Sequence, residues 1–145
     1  MRDTIQAELM MSFLVSEELS FRIPVELEYD PVDPYAVRFT FHLPGDTPVT
    51  WAFARDLLLD GLSAPTGDGD VHIAPVSAGL LSDVYIRLQV GDERATFRAS
   101  AAPLVAFLDR ADRIVPMGQE QTVGDFDGRL VETLDRILTQ ARNAG

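Results

Sequence analysis

Apolar residues recur at every second position through most of the first hundred residues. Ile5, Ala7, Leu9, Met11 and Phe13 keep this period, which predicts a strand buried on one face. Met10 and Leu14 fall on the opposite face, so that face is expected to be covered too, between subunits. Ile23, Val25, Leu27 and Tyr29 alternate with Glu26, Glu28 and Asp30, giving a second strand that is apolar on one side and acidic on the other. "DPVDP" then predicts a turn, because each proline restricts the residue before it. Tyr35, Val37, Phe39, Phe41 and Leu43 form a third strand, closed by "PGD", and Val49, Trp51 and Phe53 begin a fourth.

After Phe53 the period changes. Leu57, Leu58 and Leu62 suit a short helical turn ending near Gly61, and "PTGDGD" reads as a loop. Val71 and Ile73 predict a fifth strand, and Val84, Ile86, Leu88 and Val90 a sixth. Gly91-Asp92 has the composition of a two-residue hairpin turn, returning the chain through Ala95, Phe97 and Ala99 as a seventh. The last third is helical in period. Pro103 opens a helix carrying Leu104, Phe107, Leu108, Ala111 and Val115, with Asp109 four residues before Arg113. A second helix is expected from about Asp125, with Phe126, Leu130, Leu134, Ile137, Leu138 and Ala141 on one stripe and a Glu132–Arg136 pair outside it. Strands first and helices last, joined by short turns, predict an α+β fold. It is one domain over residues 1–145, built on an antiparallel sheet of about seven strands with a short mid-chain helix and C-terminal helices.

Composition narrows the function. The formal charge is −11, all basic residues are arginine, and there is no cysteine. Such a surface repels phosphate backbones and anionic lipid, so nucleic acid and bare membrane are poor partners. Thiolate metal sites, disulfides and thiol nucleophiles are excluded, which is compatible with the cytoplasm. The N-terminal stretch reads as neither a signal peptide nor a membrane span.

The search for chemistry finds little. His42 and His72 fall on the polar faces of their strands without a metal-binding spacing. No serine sits in a nucleophile elbow. Asp30 and Asp33 flank Pro31, and Asp68 and Asp70 flank Gly69; aspartate beside proline or glycine is foremost turn chemistry. A calcium-loop reading from Asp68 fails, since its twelfth position is Gly79. Gly67 and Gly69 lack the Lys-Ser or Lys-Thr of a phosphate loop. No catalytic residue, cofactor or metal is therefore assigned. Trp51 and Phe53 are expected to anchor the core. Arg55 and Asp56 are expected to fix the strand-to-helix junction, as a structural ion pair. Glu26, Glu28, Arg38 and the "PTGDGD" loop with Asp68 are the candidate partner contacts.

"YDPVDPYAVRFTFHL", "WAFARDLLLDGL" and "PTGDGDVHIAP", in this order, resemble the SsgA-like proteins of sporulating actinomycetes, as does the helix that follows "VPMGQE". The resemblance runs from about Glu8 to Leu138. It rests on Asp33-Pro34-Tyr35-Ala36-Val37, Trp51, Phe53-Ala54-Arg55-Asp56-Leu57-Leu58 and Gly69-Asp70-Val71. It implies a small acidic cytoplasmic protein without catalytic activity that governs septum placement or wall remodelling in sporulation. It further implies a β-rich trimer similar to the whirly-type single-strand nucleic-acid binders, and as partner the tubulin-like division protein FtsZ, reached directly or through a paralogue, or wall-synthesis proteins at the septum. Two alternatives follow: a single-strand nucleic-acid-binding module by analogy of fold alone, and a hydrolase built from Asp and His around an ion.

Overall fold

The computed structural model describes residues 4–77 and 82–121. β1 (Ile5–Leu14) and β2 (Ser20–Tyr29) pair antiparallel along their whole length, from Ile5 opposite Tyr29 to Leu14 opposite Ser20. β3 (Ala36–Phe41) adds to β2, and β4 (Val49–Ala54) to β3. The chain passes from β4 directly into α1 (Arg55–Gly61). β5 (Thr66–Asp68), β6 (Val71–Pro75), β7 (Val84–Val90) and β8 (Glu93–Ala99) form a second meander, followed by α2 (Ala101–Ile114). The sheet order is β4-β3-β2-β1-β8-β7-β6-β5, antiparallel throughout.

The two meanders join along a short seam. β1 and β8 pair only from Ser12 opposite Arg98 to Leu14 opposite Thr96. Phe13 stacks on Phe97 there, with centroids 5.1 Å apart. Phe97 also stacks on Phe41 at 4.4 Å, although β3 and β8 are three strands apart. In a flat sheet that separation is about 14 Å. The sheet therefore curls about the seam and folds its inner face around the rings.

Alternation did what the pattern predicted in β1, β2 and most of β3, but Tyr35 and Val49, in phase with the inward positions, are exposed. Met11, Ile23, Val25, Leu27, Tyr29, Val37, Phe39 and Phe41 face inward with Ile73, Ile86 and Phe97. Helix residues Leu57, Leu58, Leu104, Phe107, Leu108 and Ala111 complete this core. Gly91, at φ 60°, turns β7 into β8 with Val90 opposite Glu93, the expected two-residue hairpin.

Two expectations change. "PTGDGD" is not a loop: Thr66–Asp68 is a strand, Asp68 pairs with Val71 across Gly69-Asp70, and the sheet has eight strands rather than about seven. Three residues with one half-buried side chain are too short to show a period. α2 begins at Ala101, so Pro103 sits inside its first turn, where a missing N–H costs no helical bond. Within the single chain Met10 is 42% exposed, and no described element covers it, as a position expected to be buried between subunits would be. The helix expected from about Asp125, and Leu80 and Leu81, lie outside the described residues.

Candidate functional site

The segment from Val49 to Leu62 is where strand becomes helix. Phe53 is buried, edge-on to Phe39 with centroids 4.9 Å apart. Trp51 is only half-buried, at the rim of the core rather than at its centre, because β4 is the outermost strand of its meander. Arg55 donates its backbone N–H to the Tyr35 carbonyl at 2.7 Å, so the turn after β2 is tied to the start of α1.

The Arg55 side chain is fully buried. Nη1 donates to the Val115 carbonyl and Nη2 to Glu120 Oε1, both at 2.7 Å. The guanidinium lies over the Tyr29 ring, 4.8 Å from its centroid. Glu120 Oε2 accepts the Gly118 N–H at 2.9 Å, and the Tyr29 hydroxyl donates to the Pro34 carbonyl at 3.0 Å. Burial would raise the Glu120 carboxyl, but the hydrogen bonds from Arg55 and the backbone outweigh it and hold the group below the usual carboxylate range. Burial pushes the Tyr29 phenol up to about 12 against the opposing Arg55 charge, so it stays neutral.

Arg55 does not pair with Asp56, as expected from sequence; its partner is Glu120. Successive helical residues point about 100° apart. When Arg55 turns inward, Asp56 turns to solvent, where its charge suits the first turn of α1. Glu120 was missed, because nothing in a sequence links two residues so far apart.

The aspartates are turn residues. Asp30 Oδ1 accepts the Val32 N–H at 3.0 Å, and the Asp30 carbonyl accepts the Asp33 N–H. The Asp33 carboxylate reaches Arg38 at 3.4 Å on the surface. Asp68, Gly69 (φ 62°) and Asp70 form the exposed β5–β6 hairpin. Among the described residues no group of three His, Asp or Glu is placed to hold a metal ion.

No described element covers the outer face of the sheet. On it β1, β2 and β3 bring Glu26, Glu28 and Arg38 together: Glu8 opposes Glu26, Gln6 opposes Glu28, and Glu28 opposes Arg38. His42 Nε2 lies 3.5 Å from Glu26. Asp68 is not part of this group; it sits on β5 at the far edge. The other half of the face has the opposite sign. His72 opposes Arg87, Gln89 opposes Arg94, and Tyr85 opposes Arg98, whose Nε donates to Asp83 at 2.9 Å. The parity of Arg87, Arg94 and Arg98 was readable as outward, but their gathering depends on strand order.

A curled antiparallel sheet with helices against one face and charged side chains on the other defines a small sheet protein with an extended charged surface. Comparison with known proteins places it. Residues 23–120 match the family model described as Streptomyces sporulation and cell division protein, SsgA. The chain is 42% identical to the sporulation-specific cell division protein SsgB of Streptomyces coelicolor over 92% of its length and 98% of that protein's. It is 39% identical to the SsgB of Thermobifida fusca, covering 90% and 95%. A solved SsgB structure, titled for mutations that correlate with longitudinal cell division during sporulation of S. coelicolor, superposes with a TM-score of 0.78 at 42% identity, over 85% of this chain and 97% of that one. The SsgA-like structure from T. fusca superposes at 0.81 with 38% identity, over 91% and 96%. The chain belongs to the SsgA family of sporulation and cell-division proteins.

Proposed function

We propose that this protein is a non-enzymatic adaptor in sporulation-specific cell division, acting by protein–protein contact at the septum. What supports the reading is its near full-length likeness to sporulation-specific division proteins, in a fold whose sheet leaves a charged face open to solvent. The partner is FtsZ, met directly or through a family paralogue; wall-synthesis proteins are the alternative. Glu26, Glu28 and Arg38, which share one face, are the proposed contacts of the acidic half, while Asp33, Pro34, Tyr35, Arg55, Gly69 and Asp70 hold the scaffold. The test is co-sedimentation of the purified protein with FtsZ polymers from the same host. The protein is expected to pellet with the polymers. If the folded protein stays in the supernatant, direct recruitment fails.

A further inference from the structure

The basic half of the open face has a selectivity of its own. The chain carries 23 acidic residues against 12 basic ones, so a surface arginine has many carboxylates to choose from. Arg38 and Arg98 have taken them, pairing with Asp33 and Asp83. Arg22, Arg87 and Arg94, exposed on the same face, make no ion pair among the described residues. Arg87 and Arg94 are diagonal neighbours across β7 and β8, since Arg87 opposes Thr96 and Arg94 opposes Gln89. They line a shallow groove of about 340 Å³ with His72 and Gln89. Its edge is shaped by Gly67: a Cβ there would strike the His72 imidazole, so glycine lets that ring lie against the β5 backbone.

We propose that the outer face of β6, β7 and β8 docks a short acidic peptide segment of a partner protein, with Arg87 and Arg94 as its carboxylate receptors. This rests on the adaptor reading above. Each guanidinium presents a planar fork that matches a carboxylate with two hydrogen bonds. Gln89, whose Nε2 already donates to the Gly91 carbonyl at 3.3 Å, keeps its second amide N–H as a neutral donor between them. Arg22 extends the positive field across the seam, about 20 Å from His72 in strand spacings, the reach of about six extended residues. The occupant is short because the site is fenced. Asp70 and Asp92 stand in the β5–β6 and β7–β8 turns, at one end of the groove. Glu8, Glu26 and Glu28 stand beyond the seam. A continuous polyanion would run onto these carboxylates. Single-strand nucleic acid also needs successive aromatic platforms, whereas the outer face of β6–β8 offers Tyr85, whose ring already lies under Arg98 at 5.9 Å.

The probe is a dye-labelled decapeptide of alternating Glu and Leu, followed by anisotropy with the full chain at low salt. Its Gln-for-Glu analogue and a ten-nucleotide oligo-dT serve as comparisons. The acidic peptide is expected to bind and to weaken as salt rises, with the analogue and oligo-dT at least tenfold weaker. Arg87→Gln/Arg94→Gln should lose at least tenfold in affinity. Arg113→Gln, on exposed α2, should lose less than twofold. Circular dichroism on the double variant separates lost contact from lost fold; since both side chains are exposed, its melting should match the parent. Equal binding of the neutral peptide, stronger binding of oligo-dT, or an unaffected double variant overturns the proposal. The FtsZ pelleting assay separates the two readings. A double variant that still pellets removes this surface as the contact and leaves the adaptor role standing. A parent that binds the acidic peptide but does not pellet keeps the surface and dismisses FtsZ.

Discussion

Arg55 and Glu120 carry the largest single-residue consequences. A buried pair has already given up its hydration, so removing one partner strands the other charge. Glu120→Ala should cost about 3–5 kcal/mol in urea unfolding. Replacing both, as Arg55→Met/Glu120→Leu, should cost less than the sum of the single changes, because neither charge is then left alone. An additive double variant would mean that the two side chains act independently. The pair also sets a pH dependence. The folded Glu120 carboxyl is held below its ordinary value, so its contribution is complete above the unfolded value near about 4.3 and is lost as pH falls through the folded one. The parent should therefore lose stability below that pH more steeply than Glu120→Ala does. Arg55 was singled out in the sequence by its position after a strand. Its burial and partner were not visible, since a neighbouring aspartate is the nearer guess.

At the level of elements, two contacts override local preference. Gly61 lies in α1, where alanine is the better helix former by about 1 kcal/mol. Yet a Cβ there would collide with Ile73 of β6, so the helix is seated by the missing side chain. Gly61→Ala should destabilise by about 1–3 kcal/mol, the cost of overpacking, and a thermal melt reads the sign directly. The β1–β2 ladder holds the opposite kind of misfit. Glu8 sits directly across from Glu26, a like-charge pair that works against the strand pairing. Glu8→Gln should raise the melting temperature, by the equivalent of about 0.2–1 kcal/mol. An unchanged value would mean that solvent already screens the pair. Long strands such as β1, β2 and β3 were legible because their period repeats several times. β5 was not, because Thr66, Gly67 and Asp68 carry no pattern and are ordered by the strand they join.

For the whole molecule, net charge and its distribution are separate properties. A charge of −11 makes the compact state repel itself. Raising ionic strength from about 0.02 to about 0.5 M should screen that repulsion and raise the melting temperature. A fall would show that surface ion pairs such as Arg38–Asp33 and Arg98–Asp83 dominate instead. The sheet order splits the open face into acidic and basic halves, which no summed charge reveals. Alternation along the chain determined by itself which residues of the longer strands face the core, because burying one face of a pleated strand is a local rule. Residue types determined by themselves that thiol chemistry is absent and that the acids beside proline and glycine serve turns. Only the tertiary structure decided that Arg55 reaches Glu120, that Phe41 meets Phe97 across a curled sheet, and that Arg87 and Arg94 stand together with no ion pair among the described residues. Those facts depend on which strands become neighbours and how sharply the sheet bends. Both are settled by packing the whole apolar surface at once, not by any one stretch of chain.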